Sequence, residues 1–140
     1  MPGVKSGERA WRDSPRAVIL VALDLPAGTQ VPENQCIVVL CTCPEGPPAA
    51  RLAEALVAER LAACVNRLPG VVSIFRWEGQ VQQDSETLLL IKTTQARLPA
   101  LTERIRSLHP YELPEVVAVP VLGGLDEYLD WVRASVAGSS

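Results

Sequence analysis

The chain has little with which to grip a polyanion: 13 Lys and Arg face 16 Asp and Glu, the net charge is -3, and no basic block occurs. A clustered basic surface is the footprint of nucleic-acid binding, so no nucleic-acid partner is expected. Long apolar runs are missing as well. Ala17 to Leu23, the longest near the N-terminus, runs into Asp24 and falls far short of the ~20 residues that span a bilayer, so no membrane helix is expected. As a secretory leader the same segment has charged flanks at Arg12 and Arg16, but Leu25-Pro26-Ala27-Gly28 is a poor cleavage site, and the expected location is the cytoplasm. A glycine-rich phosphate loop, a nucleophile elbow and low-complexity or repeated tracts are also lacking, which removes the usual signatures of nucleotide binding and acyl transfer.

What is present is globular. Hydrophobic residues make up 48% and charged residues 21% of 140 positions, enough chain to bury roughly two-thirds of its unfolded surface in one core. Residues 1–34 mix Gly, Pro and balanced charge and read as an extension, in part without fixed structure, ahead of a domain at 35–140.

The domain opens with Cys36-Ile37-Val38-Val39-Leu40-Cys41-Thr42, a continuous apolar run suited to a strand covered on both faces. Pro44 to Pro48 break it. Ala49, Leu52, Ala53 and Leu56 then recur at helical spacing, with Arg51, Glu54, Glu59 and Arg60 on the outer side. Extended structure resumes at Cys64, bends at Pro69-Gly70, continues to Trp77 and turns at Glu78-Gly79 into a return strand over Val81–Thr94. Each arm has ten or more residues, some 33 Å at the strand rise, so the hairpin outgrows the core of one chain. A neighbouring subunit is the expected cover. Leu98, Leu101, Ile105 and Leu108 mark a second helix, Val116–Val121 a short strand whose Pro120 suits an edge, and Leu125, Tyr128, Leu129, Val132 and Val136 the apolar stripe of a last helix. The order is βαββαβ plus a helix, which predicts an α+β, ferredoxin-like sandwich: one antiparallel sheet with two helices on one face.

Two features carry chemistry. Cys41 and Cys43 stand two apart in a strand and so share a face, where two soft sulfurs can hold Cu(I) or Zn(II); close packing of small side chains is the competing reading. His109-Pro110-Tyr111-Glu112-Leu113-Pro114-Glu115 holds the single histidine directly before the helix-ending Pro110, with Pro114 restricting Leu113 further on. The prolines stiffen the backbone, and His109, Tyr111, Glu112 and Glu115 then lose little freedom on meeting a ligand or another subunit. A rigid connector whose histidine bonds its neighbours is the plainer alternative.

Taken together, Val39-Leu40-Cys41-Thr42, Glu59-Arg60-Leu61-Ala62-Ala63-Cys64-Val65-Asn66, Pro69-Gly70 with Ser73, Trp77-Glu78-Gly79, Glu86, Ile91-Lys92-Thr93, the His109–Glu115 segment and Tyr128-Leu129-Asp130-Trp131 form a specific set. Across about residues 36–136 the chain resembles CutA, the divalent-ion tolerance family. The resemblance implies a homotrimer built by pairing the long hairpin arms, with copper or another divalent cation as the candidate bound ion; no catalytic activity is expected, since no catalytic motif is present, and no obligatory cofactor is expected either. In copper-linked bacterial members, ligation is attributed to the first-strand cysteine and a His-His pair before Pro-Tyr, which fall here on Cys41, Leu108 and His109. Leucine has no donor atom, so a site on Cys41 and His109 must recruit Cys43, Glu115 or a neighbouring subunit. Trp77, Lys92, Tyr111 and Glu115 are the expected further residues of a ligand cleft near a subunit boundary, and Lys92 is a candidate to favour a thiolate at Cys41. The same residues also suit a purely interfacial role, with Lys92 paired to Glu115. Two other readings compete: a signalling or anchoring trimer like the PII proteins, which binds a small ligand or protein between subunits, and an enzyme using Cys41 as nucleophile and His109 as base.

Overall fold

The computed structural model describes residues 31–138; the expected extension lies outside the described residues up to position 30. The elements follow in the order β1 (Cys36–Pro44), α1 (Pro47–Ala58), β2 (Cys64–Trp77), β3 (Gln80–Thr94), a short 3-10 turn (Gln95–Arg97), α2 (Leu98–Leu108), β4 (Val117–Pro120) and α3 (Asp126–Val136). The four strands make one antiparallel sheet in the order β2-β3-β1-β4. The expected βαββαβ arrangement with a final helix is therefore present, and Pro120 lies on an edge strand, where a missing backbone donor costs no ladder bond.

Alternation along β1 sends Ile37, Val39, Cys41 and Cys43 to one face. There they join Leu52 and Leu56 of α1, Leu101 and Ile105 of α2, and Leu89 and Ile91 of β3 in the main core. α1 starts with Pro47 and Pro48, residues whose missing N–H groups are harmless in a first turn, and Arg104 of α2 bonds Glu59 bidentately at 2.9 Å across the two helices. The two helices cover one face, as predicted.

The hairpin continues past the core. β1 covers β3 only as far as Glu86, opposite Pro44, so Val72–Trp77 and Gln80–Ser85 pair with each other alone. The expected bend at Pro69-Gly70 is a bulge: the ladder shifts register between Leu68 and Val71, with Gly70 at φ 80, and the strand runs on. A side chain is disfavoured at that φ, which is why glycine sits there. At the tip, Glu78 and Gly79 both take positive φ (51 and 78), the two-residue turn whose twist matches the strands.

The last helix departs from its predicted stripe. Val132 and Val136 pack on Cys36 and Ala63 in a second, smaller cluster, with Leu129 at its margin. Leu125, just before α3, and Tyr128 in its first turn are 69% and 39% exposed. Among the described residues no helix is long and apolar enough to cross a membrane.

Candidate metal centre

Three elements converge at the end of β1. Strand alternation places Cys41 and Cys43 side by side on the core face, and both are fully buried. α2 then delivers His109. Pro110 disfavours helical geometry in the residue before it, so His109 is extended at φ -75, ψ 139, while its N–H still bonds Ile105 O at 2.8 Å to close the helix. β4 stops at its pairing with Leu40, leaving β1 to run on without that neighbour, and the His109 ring sits along this stretch. Its Nε2 lies 2.8 Å from Thr42 O, and its Nδ1 accepts the Tyr111 backbone N–H at 3.1 Å.

The ligating atoms of Cys41, Cys43 and His109 all lie within 4.8 Å of one another. The thiols act as a pair. The Cys41 S–H donates to Cys43, and this bond, with His109 adding to it, brings the Cys43 thiol down to about 6 despite its burial. The same bond, then burial, pushes Cys41 up. One proton is thus easily lost and the second strongly held, the behaviour of a thiol–thiolate pair. Two soft sulfurs and an imidazole buried together suit a thiophilic d¹⁰ ion, so the donor set fits a soft metal. Leu108, where the resemblance places another histidine, is 41% exposed at the end of α2 and adds no donor.

Beside the thiols lies a second polar group. Tyr111 stacks at 46° to the His109 ring, centroids 4.7 Å apart, and its hydroxyl donates to Oε2 of the fully buried Glu86 at 2.8 Å. Burial first, then the Glu86 carboxylate, raises the Tyr111 phenol. Burial and the Glu86 charge likewise raise the Glu115 carboxyl, while the Thr42 hydroxyl works the other way.

The predicted site residues thus divide. Cys41, His109, Tyr111 and Glu115 come together within one chain, joined by Cys43. Trp77 does not: it pairs with Gln80 at the hairpin tip, nine positions along β3 from Leu89, the partner of Cys41, a distance of about 30 Å at the strand rise. Lys92 does not reach the thiols either. It pairs with Val38, on the face opposite Leu89 and Ile91, and its Nζ lies 5.9 Å from the Tyr128 ring centroid, so within the chain a cation–π contact stands in place of the support expected from it for a Cys41 thiolate. Glu86, quoted among the sequence motifs without a role, is the residue that sequence reasoning missed. No local signal marks it, because its burial comes from the register: Glu86 is the last β3 position that β1 covers.

Fold and site define a class: a small ferredoxin-like α+β domain with an overgrown hairpin and a buried thiol–imidazole cluster. The CutA1 divalent ion tolerance protein family matches residues 37–135. The "Divalent-cation tolerance protein CutA" of Thermus thermophilus is 56% identical over 96 residues, covering 69% of this chain and 93% of that protein. A solved structure titled as the same protein superimposes with a TM-score of 0.72 at 53% identity, covering 73% of this chain and 99% of that one. The rice CutA1 crystal structure gives 0.73 at 47% identity over 75% of this chain and 96% of that chain. "Protein CutA, chloroplastic" of Arabidopsis thaliana is 50% identical over 99 residues, and there the match spans 71% of this chain but 54% of the relative. The chain belongs to the CutA divalent-ion tolerance family.

Proposed function

We propose that this chain is a non-enzymatic metal-tolerance protein which assembles as a homotrimer and holds a soft metal ion at its thiol cluster. The observation that carries the reading is the convergence of Cys41, Cys43 and His109 within 4.8 Å. Buried thiols so close together, beside an imidazole and out of water, suit Cu or Zn far better than a hard cation such as Mg²⁺. The names of the relatives, which refer to divalent-cation tolerance, support the same function.

The trimer is supported by the projecting hairpin, whose Val72, Ile74 and Val81 are 54%, 69% and 66% exposed. A two-stranded ribbon is marginal by itself in water, and apolar side chains along it call for cover from other copies. Four free thiols fit a reducing compartment, and we place the protein in the cytoplasm.

Calorimetric titration of the reduced protein with Cu(I), Cu(II) and Zn(II), repeated on a Cys41→Ser, Cys43→Ser double variant, tests the metal reading. Saturable heats in the wild type that vanish in the variant are expected; identical traces contradict it. Thermal stabilisation by ATP without any by metal favours the PII-like reading instead.

A further inference from the structure

The hydrogen bonds of His109 fix its chemistry. A carbonyl oxygen can only accept, so the 2.8 Å contact to Thr42 O requires a proton on Nε2. A backbone N–H can only donate, so the 3.1 Å contact from Tyr111 N requires a lone pair on Nδ1. These partners assign one tautomer, and in it neither nitrogen is available to an ion. A metal on Nε2 must drive the proton to Nδ1, where it meets the Tyr111 N–H head on. A metal on Nδ1 must displace that N–H. Both routes break a bond in a place where His109 is 2% and Tyr111 7% exposed and where water offers no replacement.

The sulfurs are tied mainly to each other, with His109 adding to Cys43, so an ion that takes the place of the shared thiol proton breaks no bond to the backbone. Besides its bond to Cys43, Cys41 makes a 3.9 Å contact with Thr42 O, and the two Sγ atoms lie no more than 4.8 Å apart, close to the span of two metal–sulfur bonds of about 2.3 Å each. Both cysteines are 0% exposed, so no water completes a larger shell. Zn(II) wants four ligands, and position 108, next to the histidine, is an apolar leucine. The nearby carboxyl groups of Glu86 and Glu115 are hard donors, which a soft monovalent ion does not seek.

We propose that Cys41 and Cys43 alone ligate the ion, that the ion is Cu(I) held between two sulfurs, and that His109 is a positioning residue which ties α2 to Thr42 over the thiol pair. This rests on the soft-metal reading above and narrows it to one oxidation state and one ligand pair.

The test is anaerobic titration of the reduced full chain with Cu(I) against a chromogenic Cu(I) chelator, with copper-edge X-ray absorption on the loaded protein. The wild type is expected to take one ion per chain, with sulfur scatterers and no imidazole signature. Cys41→Ser and Cys43→Ser should each weaken binding about 100-fold or more, and Zn(II) should compete poorly. His109→Gln keeps an N–H for Thr42 O and should stay within about threefold of wild type, with melting curves run on every variant as the check on folding. An imidazole signature, a His109→Gln loss as large as that of Cys43→Ser in a folded variant, or undiminished binding by Cys43→Ser overturns the proposal while leaving the soft-metal reading intact. No Cu(I) uptake by the wild type overturns both.

Discussion

The two ends of one hairpin follow opposite rules. Near the helices, Leu89 and Ile91 of β3 are completely buried beneath α1 and α2, whereas toward the tip Ile74 and Val81 of the same β2–β3 pair stand 69% and 66% exposed. The ladder is continuous apart from the bulge at Pro69-Gly70, so backbone pairing does not separate the two ends. What separates them is whether a third layer from the same chain is available. The covered end closes a core and a buried site with its own residues; the projecting end has apolar side chains and no layer of its own chain to pack against.

The largest effect that sharpens this contrast belongs at the covered end. Leu89→Ala removes a fully buried side chain and is expected to cost about 3 kcal/mol, measured as a drop in the denaturation midpoint at unchanged slope. At the tip, Ile74→Asp is expected to leave the secondary structure in place but to change the mass in solution. A substitution at the tip that unfolds the chain without altering its assembly first would break the contrast.

Next in size is the polar group at the boundary between the two regions. Tyr111→Phe removes the hydroxyl donor to the buried Glu86 and is expected to destabilise by about 1–3 kcal/mol in thermal or urea unfolding. Glu115→Gln acts in the opposite direction. Its carboxyl is raised by burial and by Glu86, so the charged form present in neutral solution is disfavoured in the fold. Stability from this group is full below the unfolded carboxyl pKa and is lost as pH rises through the raised value. The variant should therefore gain on the wild type at pH 7 and show no gain at pH 3, read from paired urea midpoints.

Much of this was legible in the sequence, and the reason is local. Helical spacing at Ala49–Leu56 and Leu98–Leu108, the Glu78-Gly79 turn and the Cys41–Cys43 alternation depend only on near neighbours, and each is where periodicity puts it. The length mismatch between β1 and the hairpin was also readable, since it needs only a count of residues. Contacts set by long-range register were not. The burial of Glu86 depends on where β1 ends across the sheet, and Lys92 faces Tyr128 because the parity of β3 turns it away from the thiols. The exposure of Leu125 and Tyr128 depends on where α3 meets the sheet, which an i, i+3, i+4 stripe does not encode.

The smallest effect is the ion pair between α1 and α2. Arg104 lowers the Glu59 carboxyl, so its contribution is present above the unfolded carboxyl pKa and is lost as pH falls through the lowered one. Both partners are exposed, and the solvent screens them. Glu59→Gln should cost a little at pH 7 and nothing at pH 3, and assembly should not change at either pH.

Static light scattering on the reduced chain across a dilution series asks most directly whether copies of the chain cover the projecting ribbon. The account predicts a mass three times that of one chain, falling toward the monomer in Ile74→Asp. A folded wild-type chain with the mass of a single copy at every concentration would contradict it.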